Sequence, residues 1–167
     1  MAVIPELKPT ANFLGRIVCR KCKAKITTEN LLYYNGYIHC LDCSKKVLDS
    51  YKRELKKANS LEWIKFRHAC ENAYLEALEV AENIDDGGTC NMDSTFIAWP
   101  RVSEVVLNIV TAKTDFRCYK TKHFGSTGIM VSPPNVGQAN KRCKAAETMT
   151  KVFKQFGYDA STFYMMD

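Results

Sequence analysis

Cysteines 19, 22, 40 and 43 stand in the pattern C-x2-C-x17-C-x2-C within the stretch "CRKCKAKITTENLLYYNGYIHCLDC". Paired cysteines serve three chemistries: a redox couple, a disulfide framework or a metal cage. A thioredoxin-like C-x-x-C opens a helix behind a buried strand, whereas Cys19 and Cys22 precede a hairpin signal. A disulfide framework belongs to oxidising compartments. The first residues, "MAVIPELKPTANFLGRIV", have neither a basic leader nor a sustained apolar core, so the expected compartment is the cytoplasm, where thiols stay reduced. That leaves the metal. Two C-x-x-C turns aim four thiolates at a common point, the donor set of a structural Zn2+ site. Cys19, Cys22, Cys40 and Cys43 are the expected ligands of one zinc ion per chain. His39 competes for the place of Cys40 and reads better as a neighbour of the site.

The intervening residues must carry the second pair back to the first. "LLYYNGYIH" sets Asn35-Gly36 between two aromatic, β-favouring runs, the signal of a type I′ hairpin. "SKKVLDSYKRELKKA" then reads as a helix with Val47, Leu48, Tyr51 and Leu55 on one face. Knuckle, hairpin and a helix opening with the second cysteine pair give the layout of a treble clef. Spacing and order over roughly residues 17–56 resemble GATA-type fingers and the second half of LIM modules. The resemblance implies structural zinc on the same four cysteines. GATA fingers read DNA and LIM modules mostly bind proteins, so the shared layout transfers little function. Arg20, Lys21, Lys23, Lys45 and Lys46 crowd the site, as a phosphate-binding patch or as solubilising residues on a small scaffold.

The chain of 167 residues carries a formal charge of +6, unevenly spread. Residues 1–60 hold 12 Lys/Arg against 5 Asp/Glu, residues 61–100 hold 2 against 8, and residues 101–167 hold 10 against 5. The acidic middle is a helix expected over 61–84, with Trp63, Phe66, Cys70, Ala73, Ala77, Val80 and Ile84 recurring at helical spacing. Leu61, Tyr74, Leu78 and Ala81 widen that stripe. Asn59-Ser60 breaks it from the preceding helix and marks the joint between two expected modules, 1–58 and 59–167.

Beyond Gly87-Gly88 the pattern alternates. "MDSTFIAW" reads as a strand and "RVSEVVLNIVTA" as a helix with Val102, Val105, Val106 and Ile109 inward. "TDFRCYKT" and "GIMVS" are strands, "QANKRCKAAETMTKVFKQF" is a helix and "STFYMMD" a last strand. The order β-α-β-β-α-β suggests a ferredoxin-like sandwich, within an α+β fold that begins with the zinc finger and the long helix. No apolar run is long enough to span a bilayer.

Three polar stretches stand apart. "DDGGTCNMDS" places Thr89, Cys90, Asn91 and Asp93 at the entry to a strand. "PPNVGQANKR" places Gln138, Asn140 and Arg142 at a helix N-terminus, a ready anion site. The chain closes on "FYMMD". Over residues 61–167 the segments "GGTCNMD", "GQANKR" and "GYDASTFYMMD" resemble an uncharacterised family of small phage and mobile-element proteins of Firmicutes. The resemblance implies a bacterial cytoplasm, including the phage-infected cell, and a host-directed role such as inhibition of a defence system.

A binding protein rather than an enzyme is the reading that absorbs most of these residues. A ferredoxin-like sheet can present Phe116, Arg117, Tyr119 and Lys120 to nucleic acid, although alternation turns Phe116 and Cys118 inward and no RNP-type run is present. The expected partner is a protein or nucleoprotein, with nucleic acid on the basic finger as the alternative. A cysteine enzyme is the second alternative, with Cys90 as nucleophile and His68 or His123 as base. Cys90 reads better as a small buried residue at the start of a strand, since no local family signature accompanies it. Walker, Rossmann and nucleophile-elbow motifs are absent.

Overall fold

The computed structural model describes residues 21–23, 31–34, 37–85, 87–88, 92–112, 114–123 and 125–165. Cys19, Arg20, Thr89, Cys90, Asn91 and the Asn35-Gly36 turn lie outside them. The chain divides into two compact units, Met1–Arg53 and Glu54–Asp167.

In the first unit, β1 (Leu31–Tyr34) and β2 (Tyr37–Cys40) form an antiparallel hairpin with Leu31 opposite Cys40 and Leu32 opposite His39. Helix α1 (Leu41–Ala58) follows β2 with no intervening residue, so Cys40 ends a strand and Cys43 sits in the first helical turn. The stripe expected on α1 is less covered than its period suggests. Val47, Tyr51 and Leu55 are half-buried and Leu48 is exposed, while Lys45, Lys46, Lys52 and Arg53 all face water.

The second unit is a mixed α+β fold around one sheet. Helix α1 ends at Ala58 and α2 (Leu61–Glu82) begins after an extended Ser60, so Asn59 and Ser60 do interrupt the helical run. Four strands follow, namely β3 (Ser94–Ala98), β4 (Cys118–His123), β5 (Ser126–Val131) and β6 (Ala160–Phe163). Helix α3 (Glu104–Thr111) connects β3 to β4, and α4 (Ala139–Gln155) connects β5 to β6. The sheet order is β4-β5-β3-β6 and every neighbouring pair is antiparallel. Strands β4 and β6 therefore end the sheet.

Period two decides which face is covered. Thr95 and Ile97 turn toward the helices. Thr95 Oγ1 lies 3.0 Å from the Ala146 carbonyl and 3.1 Å from Thr150 Oγ1 on α4. Thr162 Oγ1 of β6 donates to Thr150 Oγ1 at 3.0 Å. This network satisfies buried hydroxyls that would otherwise each cost about 1–3 kcal/mol. Phe66, Ile97, Leu107, Ile129, Met149 and Phe153 fill the space beneath the sheet. On α2 the buried residues between Phe66 and Glu82 are Ala69, Cys70, Ala73, Ala77 and Ala81, small side chains that let α4 approach closely. Leu61, expected on the apolar stripe, points to water instead at 85% exposure, as does Leu75 at 65%. Likewise Leu107 takes the inward place on α3 that the period gave to Val105, which is exposed.

The opposite face carries the row Tyr119–Met130–Phe96–Ser161 across four strands. Gly128 lies beneath the Phe96 ring: a Cβ there would stand 2.6 Å from it and 2.2 Å from the Ile97 carbonyl oxygen. The glycine is what allows that ring to lie flat against the sheet.

Candidate metal centre

Three of the four expected ligands are described, and they meet. The Sγ atoms of Cys22, Cys40 and Cys43 lie within 4.8 Å of one another. Cys22 Sγ and Cys40 Sγ are 3.6 Å apart. With Zn–S bonds of about 2.3 Å, the edge of a tetrahedron of sulfurs is ~3.8 Å, so this spacing suits a shared tetrahedral ion. Each sulfur arrives from a different local structure: Cys22 from a turn, Cys40 from the end of β2 and Cys43 from the first turn of α1. Burial rises along that series, from exposed Cys22 through half-buried Cys40 to buried Cys43. Lys23, directly after Cys22, has φ +62°. A left-handed lysine costs roughly 1–2 kcal/mol, and the turn that bends Cys22 toward Cys40 carries that strain.

The cluster takes in Cys40 and not His39. His39 is buried, and its Nδ1 has no hydrogen-bond partner among the described residues. Lys21 and Lys23 flank Cys22, and Lys45 and Lys46 follow Cys43 closely; all four are exposed.

The three polar stretches come together within the second unit. Gly87 O accepts from Asn140 N at 3.4 Å. Met92 N donates to Met165 O at 2.7 Å, and Met165 N donates to Asp93 Oδ1 at 3.0 Å. Asp93 is buried, and Cys143 lies beside it on α4. Glu147, one turn further on, accepts from Tyr164 Oη at 3.2 Å and pairs with Lys144 at 3.1 Å. Hydrogen bonding to Lys144 leads the effects that hold the Glu147 carboxyl below its ordinary range. Burial, followed by the charges of Glu147 and Asp93, pushes the Cys143 thiol up. Glu147 and Tyr164 escaped the reading from sequence, because nothing periodic joins a helix interior to a chain terminus. Gln138 and Asn140 are exposed, and the half-buried Arg142 has an Nε with no hydrogen-bond partner.

The remaining expected contacts are dispersed. Arg117 and Tyr119 are exposed on or beside β4, as alternation requires. Lys120 turns to the helix-covered side, where its Nζ donates to Val102 O at 3.0 Å. Phe96 and Met130, the aromatic and apolar residues at the middle of the face opposite the helices, are only 5% exposed and so are not available to stack on bases. Cys70 is buried within α2, and burial, reinforced by its hydrogen bond with Cys118, pushes its thiol well up.

The chain matches no protein-family model, no curated protein and no solved structure. Among the described residues no helix is long and apolar enough to cross a membrane.

Proposed function

We propose that this chain is a zinc-stabilised macromolecule-binding protein of the bacterial cytoplasm, directed at a protein or nucleoprotein partner, and not an enzyme. The observation that carries the reading is the convergence of Cys22, Cys40 and Cys43 at tetrahedral-edge spacing. Cys19, three residues before Cys22, is the fourth ligand in this reading. A hairpin leading directly into a helix, with one sulfur on each side of the junction, supports a treble clef. The antiparallel order β4-β5-β3-β6, with helical connections after β3 and β5, supports a ferredoxin-like sandwich as the second module. Zinc is favoured over other ions by the all-sulfur donor set and the compartment.

A binding role is supported by what surrounds these elements. The exposed lysines at the cysteine site offer charge to a partner, while the described thiols Cys70 and Cys143 are pushed away from the nucleophilic thiolate. Nucleic acid is the second reading, favoured by the cations that flank both cysteine pairs. The family resemblance of the second module points toward a host target, a defence system among them.

One preparation tests both parts. Metal analysis gives one zinc per chain for the parent protein and a small fraction of that for Cys43→Ser. A chelator removes amide-exchange protection from residues 37–53, because the metal supplies the folding free energy of so small a unit. Purified protein without zinc, yet with those amides still protected, overturns the proposal. For the partner, reversal of Lys21, Lys23, Lys45 and Lys46 to Glu abolishes nucleic-acid binding that weakens steeply with salt. A protein partner that stays bound after nuclease treatment separates the first reading from the second.

A further inference from the structure

Within the second unit, the start of α2 and the segment before α3 border a cleft of about 570 Å³. That lies inside the ~300–1,000 Å³ range of small-molecule sites. Both tryptophans of the chain line it. Trp63 is buried and Trp99 half-buried, and their rings stack with centroids 4.7 Å apart at 23°. The cleft thus has a flat, polarisable wall whose outer indole retains exposed surface. A flat ring meets such a wall in the offset arrangement that aromatic pairs prefer.

The polar groups are asymmetric in how far the protein already uses them. Lys57 is held by Glu54 at 3.4 Å, and Ser103 Oγ donates to the same carboxylate at 3.3 Å. Ser103 Oγ also accepts from Val106 N, capping α3. These groups are occupied. Ser60, by contrast, caps α2 without a side-chain hydrogen bond. Arg101 is exposed at the edge of the cleft and has no ion pair or hydrogen bond among the described residues. Glu62 is the one carboxylate on the lining, against the two cations Lys57 and Arg101. A planar guanidinium left unpaired beside a flat aromatic wall matches one kind of molecule: a ring joined to an oxyanion. The guanidinium takes carboxylate or phosphate in its two-pronged geometry.

We propose that this cleft binds a small aromatic anion, its ring against Trp99 and its phosphate or carboxylate on Arg101, with Ser60 as a further donor. This site goes beyond the metal centre and shares no residue with it.

Because the chain has no other tryptophan, its intrinsic emission reports on this cleft alone. The test titrates the full-length, zinc-loaded protein with adenosine monophosphate and, separately, with benzoate, reading tryptophan emission and confirming by calorimetry. Adenosine and inorganic phosphate serve as the two half-ligands. The expected result is saturable binding of at least one aromatic anion below about 1 mM, at least tenfold tighter than either half-ligand. Response to the nucleotide alone assigns phosphate, and response to benzoate alone assigns carboxylate. Arg101→Glu and the milder Arg101→Gln each weaken binding at least tenfold with far-UV dichroism unchanged. Saturation by neither aromatic anion, equal binding of phosphate alone, or undiminished binding by both folded Arg101 variants overturns the proposal.

Discussion

Tyr158 brings its ring into the aromatic group of Phe66, Trp99 and Phe153, and its buried hydroxyl has no hydrogen-bond partner among the described residues. Burial, then the charges of Cys70 and Glu62, pushes its pKa up from 10 to about 12. The neutral phenol is thus the form the fold accepts. Stability from this group is intact below pH 10, where the unfolded phenol is also neutral, and is lost as pH rises from 10 to about 12. Tyr158→Phe keeps the ring under Lys65 and removes only the orphan hydroxyl. At pH 7 the variant is expected to equal or exceed the parent by up to about 1 kcal/mol. Urea unfolding at pH 7, 10 and 11.5 should show its advantage widening only over the upper interval. A loss greater than about 1 kcal/mol at pH 7 would mean that the hydroxyl has an acceptor.

At the scale of elements, Gly128 and Gly125 pose opposite problems to a methyl group. Gly128→Ala drives Cβ into the Ile97 carbonyl at 2.2 Å and the Phe96 ring at 2.6 Å, and backbone cannot swing aside as a side chain does. A cost of ~3 kcal/mol, the upper end of ordinary overpacking, is expected from thermal unfolding. Gly125→Ala meets nothing within 4 Å but must hold φ +79°, so its cost stays near ~1 kcal/mol. Equal costs would contradict the placement of Phe96 over β5. Elements are also where the sequence was most readable. The short run of β-branched and aromatic residues in "STFIA" and the three-to-four spacing of "AAETMTKVF" fixed their types, since each depends only on residues close in the chain. Leu61, Val105 and Leu48 misled for a complementary reason. Helical period identifies an apolar stripe but not how far the neighbouring element extends over it. Cys22, Cys40 and Cys43 were readable because ligand spacing is itself local to two turns. The Thr95–Thr150–Thr162 network and the Asp93–Met165 bond join residues from distant parts of the chain, and no short-range pattern encodes them.

At the scale of the whole molecule, the segregation of charge along the chain acquires a physical place. The described cations of the first unit stand on α1 and beside Cys22, while Glu76, Glu79 and Glu82 stand on the exposed side of α2. The sheet, for its part, is open rather than closed. Among the described residues, strand β4 has β5 on one side and no strand on the other, and it reads "CYKTKH". An unpaired row of backbone donors and acceptors is a template on which another chain can grow. Lys122 is exposed on that strand, and burying its ammonium under an incoming copy would be unfavourable. Lys122→Val should leave thermal unfolding of dilute protein within about 0.5 kcal/mol of the parent while light scattering rises with concentration and time. Scattering indistinguishable from the parent at high concentration would assign that protection elsewhere. On this expectation a single lysine at the rim of the sheet keeps copies of this molecule from pairing edge to edge.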